Sequence, residues 1–204
     1  MMHPFLEEVA KRRVKEIMER VDVMTICDKW GPEKVVHTYD PKSGIRGVLV
    51  IDNTARGPGT GGIRIDPNVS TALIFRLARA MTWKTALADL PLGGARAGIR
   101  AGPFTDDRIA IVRAFAGAVA PYTPSQWIAA PDTYAGQEEM EAFVTEVGDL
   151  RAATGKPQDL GGVPYETGAT GFGVGVAIEA MLESLKGVRS LPESVNDIEV
   201  VVQG

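Results

Sequence analysis

Hydrophobic positions recur at two periods along this chain, and their alternation predicts its elements. Phe5, Val9, Val14, Ile17, Met18 and Val21 fall at three-to-four spacing with charges between them, which predicts an amphipathic helix over 4–21. "KVVHTYD" (34–40) and "IRGVLVIDN" (45–53) predict two strands joined by the turn "PKSG". "ARGPGTGGIRIDP" (55–67) reads as a glycine-rich loop running into the short strand "IRI". The helical period returns over "NVSTALIFRLARAMTWKTALADL" (68–90), with Asn68 or Ser70 as cap and Leu73, Leu77, Met81 and Leu87 facing the core.

"PLGGARAGI" (91–99) reads as a second glycine-rich loop. A capped helix follows over 105–122, then a short buried strand, "SQWIAAPD" (125–132), ending at an acid. A helix over 136–150, a long Gly/Pro loop over 151–171 and a helix over 172–185 come next. "SVNDIEVVVQG" (194–204) reads as a buried strand of the kind that leads into a phosphate-binding turn, and Gly204 would be the first residue of that turn. Strands alternating with helices define an α/β layered fold.

Composition adjusts this picture in few places. With 204 residues the chain suits one domain or one and a half. A net charge of −4 provides no global basic field for nucleic acid, and the basic run "KRRVK" sits among acids as a solvated helix face. Cys27 is the sole cysteine, so no internal disulfide forms, as in a reducing compartment. No run reaches the roughly 18 apolar residues of a membrane span. The expectation is a soluble, cytoplasmic protein with neither nucleic-acid nor membrane partners.

Generic chemical motifs find little support. "GPGTGGIR" lacks the lysine of a phosphate loop, and "GFGVG" (171–175) does not satisfy GxGxxG. One cysteine and the distant His3 and His37 argue against a metal centre. Four polar residues at element edges remain: Thr60, Lys84, Arg96 and Asp132. Lys84 lies among Trp83, Ala86 and Leu87, either directed into a cleft or snorkelling at the surface. Arg96 is surrounded by glycines, yet a guanidinium keeps its proton at any cellular pH and cannot act as a base.

"RGPGTGGIRIDPNV", "ARAMTWKTALADLPLGGARAGI", "AAPDTYAGQEEM" and "TGKPQDLGGVPYETGATGFGV" resemble the N-terminal domain of the glutamate/leucine/phenylalanine/valine dehydrogenases, the glutamate branch nearest. The resemblance runs from about residue 20 to the C-terminus. It implies a three-layer sandwich with a central mixed sheet flanked by helices. It assigns 1–190 to substrate binding and oligomerisation, including a linking helix at 172–185, and 191–204 to the first-strand stub of an absent Rossmann domain. Members deaminate an amino acid oxidatively to a 2-oxo acid with NAD or NADP, usually as hexamers.

The resemblance also implies site roles. Lys84 matches a clamp for the substrate α-carboxylate, and Gly93 and Gly94 match backbone lying against the same substrate. Asp132 matches an aspartate of proton transfer, Thr170 a threonine near the nicotinamide, and Arg64 a structural arginine. Two positions depart from the family pattern. Arg96 stands where members carry a catalytic lysine, and Thr60 where glutamate-specific members carry a lysine for the distal carboxylate. The implied ligand is a small amino acid or 2-oxo acid. The chain alone is expected to bind no cofactor and to be catalytically incompetent. Alternatively, it is a non-catalytic amino-acid-sensing or assembly subunit, in a homo-oligomer (dimer or hexamer) or beside a full-length dehydrogenase. A third reading is an unrelated anion binder using Arg56, Arg64, Arg96 and Arg100.

Overall fold

The turn sequence "PKSG" closes on an acid that precedes it. The Asp40 carboxylate accepts hydrogen bonds from the Ser43 hydroxyl at 2.6 Å and from the Lys42 and Ser43 amides at 3.2 and 3.0 Å. Gly44 supplies the left-handed conformation, φ +68°. The flanking strands β1 (Lys34–Tyr39) and β2 (Arg46–Asn53) therefore pair antiparallel.

The computed structural model describes residues 27–102, 107–163 and 165–185, together with 199 and 201. The helix expected over 4–21 and, those two isolated positions aside, the strand expected over 194–204 lie outside the described residues. The chain divides into two compact units, Met1–Val163 and Pro164–Gly204.

In the first unit β3 (Gly59–Ile65), β4 (Gly93–Ile99) and β5 (Trp127–Ala130) complete a five-stranded sheet of order β1-β2-β4-β3-β5. β4 runs antiparallel to β2 and parallel to β3, which runs parallel to β5. Helix α1 (Thr71–Leu87) covers one face, while α2 (Arg108–Val119) and α3 (Gln137–Val147) cover the other. This is the expected three-layer sandwich with a mixed central sheet. Its larger core, on the α2/α3 side, centres on Trp127, whose ring meets Phe115 and Phe143 edge-on at 6.4 and 5.5 Å. The indole N–H is satisfied by the Gly61 carbonyl at 3.1 Å.

Three local expectations are corrected. "GGARAGI" is the central strand β4, not a loop, and its Ala95, Ala97 and Ile99 are fully buried. β3 begins at Gly59, so Thr60 and the following glycines belong to the sheet as well. In α1 the buried residues are Ala72, Ile74, Ala78 and Thr85, whereas Leu87 is 87 % exposed and Leu73 and Leu77 are half-buried. The sheet beneath α1 is glycine-rich and the helix comes close, so small side chains take the contact line and the leucines flank it. Ser70 caps α1 as expected, accepting from the Leu73 amide at 3.3 Å.

In the second unit α4 (Ala169–Ser184) starts earlier than the expected residue 172, after Gly168 at φ +67°. None of its described residues is buried within that unit.

Candidate functional site

β4 presents alternate residues to the two layers. Ala95, Ala97 and Ile99 join the α2/α3 core, while Gly94, Arg96 and Gly98 face α1. A Cβ at Gly94 would lie 2.2 Å from the Thr82 amide nitrogen of α1, and one at Gly98 would lie 2.7 Å from Ile74 Cδ1. Arg96 therefore leaves the strand under a closely seated helix, and its side chain is 13 % exposed.

The guanidinium crosses β3 at Gly62, its neighbour in the parallel register that pairs Ile63 with Ala97. There it makes a direct ion pair with the Asp132 carboxylate, which is 19 % exposed. Gly62 makes the crossing possible: a Cβ there would come within 2.8 Å of Asp132 Cβ and 2.6 Å of the Pro131 carbonyl oxygen. A tight turn holds Asp132 just past β5. The Asp132 and Ala135 backbones exchange hydrogen bonds of 3.1 and 2.9 Å, and the Ile65 amide binds the Thr133 carbonyl at 3.0 Å. Tyr134, in the same turn, has φ +56°, an uncommon conformation for a residue with a side chain.

The other expected site residues take different places. Thr60 lies in β3 opposite Gly94, and its hydroxyl donates to the Ile128 carbonyl at 3.3 Å. Gly93 and Gly94 are buried strand residues; the Gly93 amide binds the Pro58 carbonyl at 2.9 Å. Lys84 sits in the last turn of α1, one turn beyond Met81, whose Cγ would be 3.3 Å from a Cβ at Gly61 of β3. Its side chain is exposed and makes no hydrogen bond or ion pair among the described residues. Arg64 is part of β3, opposite Gly98, with Nε 3.8 Å from Asp66 Oδ2. Thr170 belongs to the first turn of α4, in the second unit.

The structure thus joins Arg96 and Asp132 directly and sets Thr60 on the same sheet face. Sequence reasoning missed Gly62, whose signal was the paired glycine of "TGGIR", and Ile128, which anchors Thr60. The chemistry this arrangement offers is that of a fixed cation beside a fixed carboxylate. The guanidinium has five donors and no acceptor, so it cannot take up a proton.

A mixed sheet layered by helices on both faces, with a cation of its central strand paired to an acid just past β5, defines an α/β sandwich domain. More specifically, the chain belongs to the Glu/Leu/Phe/Val dehydrogenase family, whose dimerisation-domain profile matches residues 32–148. It is 31% identical to glutamate dehydrogenase B of Halobacterium salinarum over 97% of this chain and 49% of that protein. It is 38% identical to the NADP(+)-dependent glutamate dehydrogenase of Pyrobaculum calidifontis over 69% of this chain and 36% of that one. The hetero-hexameric glutamate dehydrogenase of Thermus thermophilus, in its Leu-bound form, superposes with a TM-score of 0.69 at 29% identity, over 91% of this chain and 49% of the other. The chain spans about half or less of the length of these relatives.

The family implies a nicotinamide dinucleotide, and the glycine stretch that superficially suggested a loop for one does not form it. Gly171, Gly173 and Gly175 of "GFGVG" lie inside α4 rather than in a strand-to-helix turn, so no cradle for a pyrophosphate forms there. Among the described residues there is also no cluster of three or more His, Cys, Asp or Glu placed to hold a metal, and no helix long and apolar enough to cross a membrane.

Proposed function

We propose that this chain is a dehydrogenase-type substrate domain that binds an amino acid or 2-oxo acid without converting it. The supporting observation is the Arg96–Asp132 ion pair. Oxidative deamination, the family's reaction, needs a group that accepts and returns protons at the reacting carbon. Arg96 stands at the position of the family's catalytic lysine and holds its proton permanently. Asp132, the remaining acid, is engaged with that same guanidinium. Loss of a general base typically costs 10²–10⁴-fold in rate. Thr60, with its hydroxyl turned to Ile128, brings no charge to a distal carboxylate, so the ligand need not be glutamate.

Ammonia release tests this. The chain incubated with glutamate or leucine and NAD or NADP should release none, and robust turnover would overturn the reading. Joined to a dinucleotide-binding domain, the Arg96→Lys form should outpace the unchanged form by roughly 10²-fold or more. Equal rates would count against an inherited but disabled site.

A second reading, an assembly subunit, draws support from the Thermus thermophilus relative, which is hetero-hexameric and matches 91% of this chain. The family profile is itself that of a dimerisation domain. Light scattering should then give a dimer or hexamer, alone or mixed with a full-length dehydrogenase. A monomer under both conditions would remove this reading.

A further inference from the structure

We propose that the exposed stripe of α1 around Trp83 is a docking surface for the chain's own segment 14–21, which packs there as a helix against the Trp30–Trp83 pair. The stripe is apolar where a solvent face is ordinarily polar. Ala80, Trp83 and Leu87 recur at i, i+3 and i+7 and are all exposed, Leu87 the most. Trp30 meets Trp83 edge-on at 5.8 Å, and each of the two is 46 % exposed. Leu90 follows the helix end, tied to it by a 3.0 Å bond from its amide to the Thr85 carbonyl, and is exposed as well. Single exposed apolar residues are ordinary, but a contiguous group with two tryptophans marks a contact.

The point at which the chain enters the described fold names the occupant. The Asp28 carboxylate takes both terminal nitrogens of Arg79, at the middle of α1, at 2.8 and 3.0 Å. The Trp30 carbonyl accepts from Asn53 Nδ2 at 2.9 Å. Cys27 is therefore fixed beside the stripe. Five residues separate it from Val21 and bridge at most about 20 Å. Upstream, Val14, Ile17, Met18 and Val21 fall at i, i+3, i+4 and i+7, one face of a helix, while Lys15, Glu16, Glu19 and Arg20 fall on the other. Residues 14–21 and 80–87 are equally long, about 12 Å each as helix. Two short apolar stripes of matched length thus adjoin each other along the chain. A tether this short gives the segment an effective concentration of about millimolar, well above that of a second copy or a separate partner in dilute solution.

Acrylamide quenching of tryptophan fluorescence on the full chain tests this. The chain has three tryptophans, and Trp127 is fully buried, so quenching reports on Trp30 and Trp83. In the native chain both should be shielded. Ile17→Asp, which puts a charge into the contact, should raise the quenching and shift the emission to the red, with the melting profile showing that the sheet domain is still folded. Glu16→Lys, on the opposite side of the segment, should change neither. Quenching that is the same in the native chain and in Ile17→Asp overturns the proposal. Crosslinking decides which chain supplies the segment, and decides alone if Ile17→Asp does not fold. With Cys27→Ser as background, Lys15→Cys and Ala86→Cys are joined by a flexible bis-maleimide and the product is sized by denaturing electrophoresis. A link within one chain is expected. A link between two chains assigns the stripe to a second copy and overturns the proposal, as does the absence of any link.

Discussion

Thr82 occupies the space that a side chain at Gly94 would need: a Cβ there would lie 2.2 Å from both the amide nitrogen and Oγ1 of Thr82. The same threonine donates from Oγ1 to Asp52 Oδ2 at 2.6 Å, and Asp52 is fully buried. Helix α1 is therefore keyed to the sheet at its backbone, not only through apolar side chains. At Gly98 the obstruction is softer, because a Cβ would meet Ile74 Cδ1 at 2.7 Å and Val69 Cγ1 at 2.8 Å, both side-chain ends that can turn aside. Gly94→Ala should destabilise the domain by about 3 kcal/mol or more and Gly98→Ala by about 1 kcal/mol. Urea melts of the two variants check the order, and equal losses would mean that α1 shifts as a whole.

That relationship also shows where the sequence was legible. The hairpin at 34–53, the Ser70 cap and the alternation of strands with helices rest on local signals: turn residues, capping chemistry and period. "GGARAGI" defeats local reading. Its glycines suggest a loop because glycine has low strand propensity, whereas here they admit the preceding helix, α1, folded back onto the strand. The α1 core face was misjudged for the same reason, since close packing on glycine selects Ala72 and Ala78 over Leu73 and Leu77. Of the site, Arg96 and Asp132 could be singled out as residues, but their contact could not. It depends on a β3–β4 register and on an empty space at Gly62.

Gly117 should behave in the opposite way to Gly94. It lies inside α2, exposed, and a Cβ there would have only Glu146 Oε1 nearby, at 3.8 Å. Alanine would lower the entropy of the unfolded chain without a clash. Gly117→Ala should raise stability by about 0.5–1 kcal/mol, seen as a higher urea midpoint with unchanged slope.

Acid should loosen the segment leading into β1. Asp28 pairs with Arg79 of α1 at 2.8 and 3.0 Å, and Trp30, two residues on, meets Trp83 edge-on at 5.8 Å. The Arg79 hydrogen bonds, and then the Trp30 amide, lower the Asp28 carboxyl from 3.8 to about 2. A lowered folded-state pKa means that the pair's contribution is complete above the unfolded value. It fades as pH falls from about 4 through about 2. Tryptophan fluorescence should be flat from neutrality to about pH 5 and change below it. Asp28→Asn should remove the Trp30 part of that change, and an unaltered profile would show that the pair does not hold the indoles together.

The pair at the candidate site should be energetically coupled through Gly62. Breaking a buried ion pair from one side costs roughly 3–5 kcal/mol, because the surviving charge is left without a partner. Arg96 and Asp132 retain 13 % and 19 % of their exposure, so water recovers part of that cost. Arg96→Met and Asp132→Asn should each cost about 1–3 kcal/mol. The double variant should cost less than their sum, by about 1–2 kcal/mol, since neither charge is then stranded. Gly62→Ala should act on the same coupling from outside. Its Cβ would press on the Pro131 carbonyl and Asp132 Cβ and move the carboxylate off the guanidinium. In that background Arg96→Met should cost measurably less than in the native chain. Urea midpoints for the single and combined variants give every term, and strict additivity would mean that the contact adds nothing to the fold beyond its two separate residues.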